Sequence, residues 1–198
     1  MRLADTYRRR VRARALDQYG YVTTEDAADL GVPPVELRKL AARGGLEHVA
    51  YGLYRFEDVR PTRLDEFMEA VLRVGRDAYL SHDAVLALHD LKVSAPKWIR
   101  VGTPHRVRAR LAGHIEVIQQ HLEPVDLTVY ERVPSATVAR ALLDCRGILP
   151  AEQLVDAADA AAGQGLLRHR EANRIIAAVT GAKELPGDRN RRRHRPLP

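Results

Sequence analysis

Five side chains between positions 35 and 43 have the chemistry and the spacing needed to read base pairs in DNA. Arginine and lysine donate hydrogen bonds to guanine, glutamate accepts one from cytosine, and an apolar side chain contacts the thymine methyl group. Leu37, Leu40 and Ala41 recur at helical spacing and turn one face of a helix inward. The opposite face, which we expect to contact bases in the major groove, carries Val35, Glu36, Arg38, Lys39 and Arg43.

A second, shorter helix precedes the one that carries this face. Thr23 is a favourable N-cap with Asp26 three residues later, and together they predict a helix over residues 24–30. The Pro33–Pro34 pair stops this helix but suits the first turn of a new one, which ends at Gly44–Gly45. Two helices joined by a tight turn form a helix-turn-helix. Domains that contact only proteins also use this arrangement, but positive charge on the outward face favours DNA.

A β-hairpin is predicted directly after the second helix. Leu46–Ala50 and Leu53–Phe56 are short, rich in β-forming residues, and joined through Tyr51 and Gly52. A hairpin in this position is the wing of a winged helix-turn-helix. We expect its tip to present three side chains to a phosphate or to the minor groove: His48, Tyr51 and Arg55.

Apolar residues at helical spacing predict an amphipathic first helix over residues 2–19, with arginines on its polar face. Arg8, Arg9 and Arg12 could follow a DNA backbone, where each neutralised phosphate adds salt dependence but no sequence information. A solvated basic face explains any single one of these arginines equally well.

Composition favours a cytoplasmic protein with two domains. The 198 residues are 45% hydrophobic and 29% charged, which is ordinary for a soluble protein and sufficient for two small cores. No apolar run approaches the roughly 18 residues that a membrane span needs, and no signal-peptide pattern follows the basic N-terminus. The single cysteine, Cys145, excludes an internal disulfide and is expected in the core.

The net charge of +6 lies at the two ends of the chain. Lys and Arg outnumber Asp and Glu by 11 to 9 over residues 1–61 and by 5 to 1 over residues 186–198, whereas residues 62–185 carry 16 of each. Pro61 also interrupts the hydrophobic periodicity. We therefore predict a winged helix-turn-helix at 1–61, an α+β domain at 62–185 and a disordered basic tail at 186–198. The tail is either an electrostatic anchor or a solubilising end.

The second domain is predicted to mix short strands with helices. Strand-like segments punctuated by Pro or Gly cover residues 98–101, 115–118 and 127–130. Helical stripes are expected over 62–74, after a cap at Ser81, after a cap at Ser135, after Pro150, and over 169–179. This mixture predicts an α+β class.

A second basic segment lies between the first two of these strands. Arg106, Arg108 and Arg110 alternate with small or apolar residues, as a strand or an extended loop would present them. Two interpretations remain open. The segment is an exposed hairpin that arginine keeps soluble, or it is a surface for nucleic acid or an acidic protein partner.

The sequence lacks the motifs of common enzymes. It has no phosphate-binding loop, no dinucleotide-binding fingerprint, no zinc-protease motif and no nucleophile elbow. His82 and His89 could share a helix face, but no third ligand accompanies them, so we interpret them as packing residues. We expect no catalytic residues, no cofactor and no metal.

Four segments together resemble a known protein family. GYVTTEDAADLGVPPVELRKLAARGGLEHVAYGLYRF resembles the N-terminal winged helix of AbiEi-type antitoxins. YLSHDAVLALHDL, VGTPHRVRARLAGHIEV and RVPSATVARALLDC are similar to successive segments of the domain that follows in that family. The similarity runs in register from about Gly20 to Cys145. This chain has Pro33–Pro34 where the family often begins the recognition helix with serine or threonine, so the resemblance does not assign the first base contact.

The resemblance implies an antitoxin of a type IV toxin-antitoxin pair that represses its own operon. Its winged helix would bind inverted repeats in duplex DNA upstream of that operon. Its second domain would neutralise a toxin similar to nucleotidyltransferases, either by contact or without it, and the Arg106, Arg108 and Arg110 segment is the expected surface. The alternative is a stand-alone winged-helix transcriptional regulator whose second domain senses a ligand or dimerises. A nucleic-acid enzyme would need a metal site or an acid pair that the sequence does not offer.

Overall fold

The computed structural model of the chain describes residues 3–91, 97–108 and 111–181. They form an α+β fold in which a winged helix-turn-helix, here called the winged unit (residues 3–59), precedes an α+β unit (residues 62–181). Arg110 and the predicted tail at 186–198 lie outside the described residues. Within the described ranges, no helix combines the length and the apolar character that crossing a bilayer requires.

The winged unit consists of three helices and a three-stranded sheet. Its elements are α1 (Leu3–Leu16), β1 (Tyr21–Thr23), α2 (Thr24–Asp29), α3 (Pro34–Ala42), β2 (Leu46–Ala50) and β3 (Leu53–Phe56). The two wing strands have the predicted bounds, and α1 ends at Leu16, three residues before its predicted end. The prediction lacks β1, because three residues are too few to show the alternation of a strand. β1 pairs antiparallel with β3, which gives the sheet order β1-β3-β2.

The α+β unit is built on a five-stranded mixed sheet. Its elements are α4 (Asp65–Val74), β4 (Tyr79–Leu80), α5 (Asp83–Leu88), β5 (Ile99–Thr103), β6 (Ile115–Gln119), β7 (Leu127–Tyr130), β8 (Val133–Ala136), α6 (Val138–Asp144), α7 (Ala151–Gly163) and α8 (His169–Thr180). The strand order is β6-β5-β4-β8-β7. The β4–β5 and β7–β8 pairs are antiparallel, whereas β4–β8 and β5–β6 are parallel.

Two predicted helix caps are wrong because a short strand extends to the serine. Ser135 lies within β8, and Thr137 caps α6 instead, since its hydroxyl accepts a hydrogen bond from the backbone N–H of Arg140 at 3.3 Å. Ser81 continues the path of β4, and its N–H donates to the carbonyl of Arg100 on β5. The helix after it, α5, is capped at His82 and therefore begins one residue later than expected, at Asp83.

The segment between β5 and β6 is not a hairpin. These strands run parallel, with Ile99 opposite Ile115 and Thr103 opposite Gln119. Parallel neighbours cannot be joined by a tight turn, so a hairpin cannot connect β5 to β6. The interpretation of the second basic segment as an exposed hairpin is therefore wrong.

Two apolar cores meet at the junction of the units. The smaller core fills the winged unit and includes Leu37 and Phe56. The larger core fills the α+β unit and contains Cys145, which is fully buried as predicted, so that burial raises the pKa of its thiol to about 12. Tyr21 and Leu53, from the sheet of the winged unit, also belong to this larger core. The two units therefore share apolar packing.

Candidate nucleic-acid interface

A capping box fixes the start of the helix-turn-helix. The Thr23 hydroxyl accepts from the N–H of Asp26 at 2.9 Å, and the Asp26 carboxylate accepts from the N–H of Thr23 at 2.9 Å. Arg14 and Gln18 also donate to this carboxylate, at 2.8 and 3.0 Å. Burial alone would raise the pKa of Asp26, but the hydrogen bonds from Gln18, Arg14 and Thr23 outweigh it and hold this pKa below 3.8. Asp26 thereby ties α2 to α1.

The outward face of α3 carries most of the predicted base-reading side chains. Leu37 and Leu40 are buried against the rest of the winged unit. Val35 is 42% exposed, and Arg38, Lys39 and Arg43 all lie on the surface. Glu36 is half-buried and accepts a hydrogen bond from the Lys39 ammonium at 2.8 Å. The helix begins after Pro33, which offers no capping side chain.

The wing presents an aromatic tip beside the start of α2. Tyr51 is 101% exposed at the hairpin turn, where Gly52 adopts a φ of 71°. The carbonyl of Gly52 accepts a hydrogen bond from the N–H of Thr24 at 2.8 Å, which anchors the turn to α2. His48 is exposed on β2, with its ring 5.0 Å from that of Tyr54. The tip is therefore positioned by the scaffold while its aromatic side chain faces solvent.

Arg55 does not lie at the wing tip, contrary to expectation. Side chains alternate along β3, so Tyr54 and Phe56 enter the core of the winged unit while Leu53 and Arg55 face the α+β unit. The Arg55 guanidinium donates to the Asp65 carboxylate and to the Val59 carbonyl, both at 2.9 Å, and only 14% of its side chain is exposed. Arg55 is therefore an internal bridge, and we exclude it from the candidate surface.

The three arginines predicted to follow a DNA backbone have different surroundings. Arg9 is exposed and makes no side-chain hydrogen bond or ion pair with the described residues. Arg8 is also exposed, with its guanidinium beside Gly45 and 5.9 Å from the centre of the Phe56 ring. Arg12 lies over the same ring at 5.6 Å and pairs with Asp58 at 2.8 Å. Arg8 and Arg9 are thus available to a polyanion, whereas Arg12 already has a partner.

The second basic segment leaves β5 as an irregular chain. Arg106 and Arg108 are both exposed there, while His105 lies 3.2 Å from the Asp77 carboxylate. Arg110, the third arginine of the segment, lies outside the described residues. Across residues 3–91, 97–108 and 111–181, no group of three His, Cys, Asp or Glu side chains is arranged to hold a metal ion.

The junction between the units contains an ion-pair network that the sequence did not reveal. Glu69 on α4 accepts hydrogen bonds from the Tyr21 hydroxyl and from Arg73, each at 2.7 Å. Arg73 also donates to the carbonyl of Val49 in the wing at 3.3 Å. Burial, together with the hydrogen bond to Glu69, raises the pKa of Tyr21. Glu69 and Arg73 lie one helical turn apart on α4, but Tyr21 and Val49 lie more than 20 residues from their partners on that helix, and no periodic pattern links them.

A groove of about 580 Å³ opens beside this network. Its walls come from α2, from the wing turn and from the C-terminal end of α4. Arg76, at the end of α4, crosses it to pair with Asp29 at 2.9 Å and with Glu25 at 3.7 Å. The groove therefore has charged, mutually paired side chains on its rim and apolar side chains such as Leu53 and Val71 within it.

Comparisons with known proteins find a family match within the winged unit. Residues 9–56, which run from within α1 to the end of β3, match the model of a family described as a transcriptional regulator, AbiEi antitoxin. The crystal structure of the RV2827C protein from Mycobacterium tuberculosis is similar at 18% identity, with a TM-score of 0.46, over 89% of this chain and 77% of that one. No curated protein matches the chain significantly. Residues 9–56 are therefore similar to the AbiEi family of antitoxin transcriptional regulators.

Proposed function

We propose that this protein is an antitoxin that binds duplex DNA through α3 and the wing and represses its own operon. The observation that carries this proposal is the exposure of Val35, Arg38 and Lys39 on α3 and of Arg43 directly after it, together with the exposed wing tip at Tyr51. In helix-turn-helix proteins the second helix enters the major groove with its N-terminal residues against the bases. The family match over residues 9–56 supports the role of transcriptional regulator.

Each part of the surface has a distinct role in this proposal. Arg38 reads a guanine edge with two hydrogen bonds, and Val35 contacts a thymine methyl group. Lys39 and Glu36 hold each other in the free protein, so reading a base requires one of them to exchange its partner. Backbone contacts, which fix position without specifying sequence, come from a separate set of side chains: His48, Tyr51, Arg8 and Arg9.

The direct test is binding of a fluorescent duplex from the region upstream of the protein's own gene. Arg38→Ala should weaken binding to this duplex by about 1 to 3 kcal/mol, roughly 5- to 150-fold, and should leave binding to an unrelated duplex nearly unchanged. Arg174→Ala removes an exposed arginine from α8 in the α+β unit and serves as the matched control. Absence of any complex at low salt would refute the proposal.

We assign toxin neutralisation to the α+β unit, with Arg106 and Arg108, together with Arg110, as the surface that faces a nucleotidyltransferase-like toxin or its nucleic-acid target. Two of these arginines are exposed on an irregular segment with no ion pair to the described residues. Exposed charges mainly accelerate association, so replacing them should slow binding and reduce its salt dependence before affinity disappears.

This assignment is tested with the full chain co-expressed with a nucleotidyltransferase-like protein encoded next to it. The triple variant Arg106→Ala, Arg108→Ala, Arg110→Ala should restore growth arrest, whereas the matched control Arg168→Ala, Arg170→Ala, Arg174→Ala on and before α8 should not. Rescue by the first triple variant would refute the role of this segment. Rescue by the wild type without co-purification would refute neutralisation by contact and favour competition for nucleic acid.

The groove beside the wing favours a second candidate, a stand-alone regulator that senses a ligand. Its volume of about 580 Å³ lies within the range of small-molecule sites, and its walls include both α2 and the wing turn. A ligand bound there would compete with the Arg76 ion pairs and shift the wing. Operon repression with no toxin gene beside it would favour this candidate over the antitoxin.

A further inference from the structure

The outer edge of β7 is open among the described residues. β7 is the last strand in the sheet order, with β8 as its only recorded neighbour. Leu127 is 38% exposed, Val129 is 64% exposed, and Thr128 between them is exposed as well. Natural edge strands are usually protected by a lysine, a proline or a bulge, because an open edge pairs readily with another chain. The four residues of β7 contain none of these features.

The hydrogen bonding of β8 shows which backbone groups of β7 face outward. Thr137 donates its N–H to the carbonyl of Asp126 at 2.8 Å, so Asp126 points toward the β8 chain. Backbone groups alternate sides along an antiparallel strand, and Thr128 and Tyr130 must point the same way. The N–H and C=O groups of Leu127 and Val129 therefore face the open edge. Pro134, which is opposite Val129, has no N–H to contribute, and this agrees with the assignment.

We propose that two copies of this chain pair antiparallel through β7, around a two-fold axis at Thr128. In this register the outward N–H and C=O groups of Leu127 in one copy form hydrogen bonds with those of Val129 in the other copy. The two-fold symmetry repeats the same two hydrogen bonds between Val129 of the first copy and Leu127 of the second. Leu127 and Val129 lie on one face of the strand, so the cross-strand pairs form a single apolar cluster. Thr128 faces its own counterpart on the other side of the ribbon.

Neighbouring registers fit less well. Centring the axis on Val129 would place Leu127 opposite Glu131, which has a φ of 46° and has already left the strand. Centring it on Leu127 would require Val125 to pair, but Val125 lies in the 3-10 turn Pro124–Asp126 and is not extended. A shift of one residue would place backbone groups that face the open edge opposite backbone groups that face β8, so these groups could not form hydrogen bonds with each other. The axis at Thr128 uses only residues of β7.

The pairing would also orient the winged units. The turn between β7 and β8 is attached to the winged unit, since Tyr19 donates to the carbonyl of Glu131 and Arg132 pairs with Asp17. A two-fold axis at β7 therefore relates two DNA-reading helices by the symmetry that an inverted repeat requires. This consequence, unlike the pairing itself, rests on the proposed function. One strand per copy buries less than the standard interface of about 1,600 Å², so we expect a weak, concentration-dependent dimer.

A cysteine at the axis tests the register directly. Residues opposite each other in a non-hydrogen-bonded antiparallel pair have Cα atoms about 4.5 Å apart, within the range that a disulfide spans. Thr128→Cys should form a disulfide-linked dimer under mild oxidation, whereas Glu152→Cys, exposed on α7, should not. The native Cys145 is fully buried and should not compete. Equal cross-linking of the two variants would overturn the proposal.

Sedimentation of the untagged full chain over a roughly hundredfold range of concentration provides the second test. The wild type should show a reversible monomer–dimer equilibrium. Val129→Lys should shift it to monomer, while the charge-matched Val125→Lys, just outside the paired strand, should not. A monomeric wild type throughout, or dimers in Val129→Lys, would overturn the proposal. A dimer that binds no operator DNA would refute the proposed function and leave the pairing intact. A strict monomer that binds operator DNA would refute the pairing and leave the proposed function intact.

Discussion

Arg55 stabilises the junction between the two units rather than a DNA complex. Its guanidinium bonds Asp65 and the Val59 carbonyl and lies 5.5 Å from the centre of the Tyr21 ring. With both partners of the ion pair mostly buried, removing the arginine leaves a carboxylate without its main counter-charge. Losing one member of a buried pair costs far more than losing an exposed one.

We therefore expect Arg55→Ala to lower the free energy of unfolding by about 2 kcal/mol, below the full cost of breaking a buried pair because a fraction of each side chain still reaches solvent. Urea denaturation measures this loss. DNA affinity, measured where the variant remains folded, should stay within about twofold of the wild type. If the Arg55→Ala variant had normal stability but bound DNA weakly, Arg55 would instead belong to the DNA-binding surface.

We expect His89 to make the stability of the fold depend on pH below about 6.5. Its ring is buried against Tyr130, with centroids 4.1 Å apart, and burial, helped by the charge of Arg63, lowers the pKa of His89 from 6.5. The unfolded chain then binds a proton to this histidine more readily than the folded chain does. The His89 contribution to the free energy of unfolding is therefore fully present above pH 6.5, and it is lost as the pH falls through the pKa of His89 in the folded protein. His82, whose pKa burial also lowers, adds to this effect.

His89→Phe should keep the packing against Tyr130 and remove part of this pH dependence. We expect the free energy of unfolding to decrease from pH 7.5 to pH 5 in both proteins, but less in the variant. The window is distinct from that of Asp26, whose pKa lies below 3.8. Parallel losses in urea titrations of the two proteins would contradict the role of His89.

At the scale of elements, the capping box at Thr23 determines how well α2 forms. A six-residue helix is too short to be stable by propensity alone, so its cap and its packing must stabilise it. Thr23→Ala should lower the free energy of unfolding by about 1 kcal/mol. Thr180→Ala is the matched control, because its hydroxyl donates only to the carbonyls of Ile176 and Ala177 within the last turn of α8. Equal effects of the two changes in urea denaturation would show that the cap contributes nothing specific.

Elements with strong punctuation could be predicted from the sequence. The wing strands have Gly44–Gly45 before them and Tyr51–Gly52 between them, and α3 has prolines at its start, so their bounds follow from local chemistry. β4 could not be predicted because its two residues show no alternation, and β8 could not be predicted because it contains Pro134, which argues against a strand. Ser81 and Ser135 resembled caps for this reason. The parallel pairing of β5 with β6 depends on contacts across the sheet, which no local pattern encodes.

The candidate site could be predicted to the same extent. The outward face of α3 follows from helical periodicity, because the buried Leu37 and Leu40 determine where the other side chains point. The hairpin pattern locates the turn but not the face of β3 that meets the α+β unit, so the sequence does not predict the position of Arg55. The Glu69–Arg73 network joins elements distant in sequence, and only the tertiary structure brings it together.

At the scale of the whole molecule, the shared core couples the stability of the two units. Leu53 comes from the wing but is buried among the side chains of the α+β unit, 1% exposed. We expect one unfolding transition, with Trp98 fluorescence, which reports on the α+β unit, coinciding with far-UV circular dichroism. Leu53→Ala should lower stability by about 2 to 5 kcal/mol and move both signals together. Separate transitions would show that the units fold independently.

The hydrogen bond from Arg73 to the Val49 carbonyl links the wing to α4, and thermodynamic linkage gives this contact a wider consequence. If a partner that binds the α+β unit moves α4, it must also move the wing and change the affinity for DNA. By reciprocity, the operator must then change the affinity for that partner by the same factor. Binding to the promoter and binding to the partner would then be coupled equilibria. The concentration of free partner in the cell would therefore set the level of transcription.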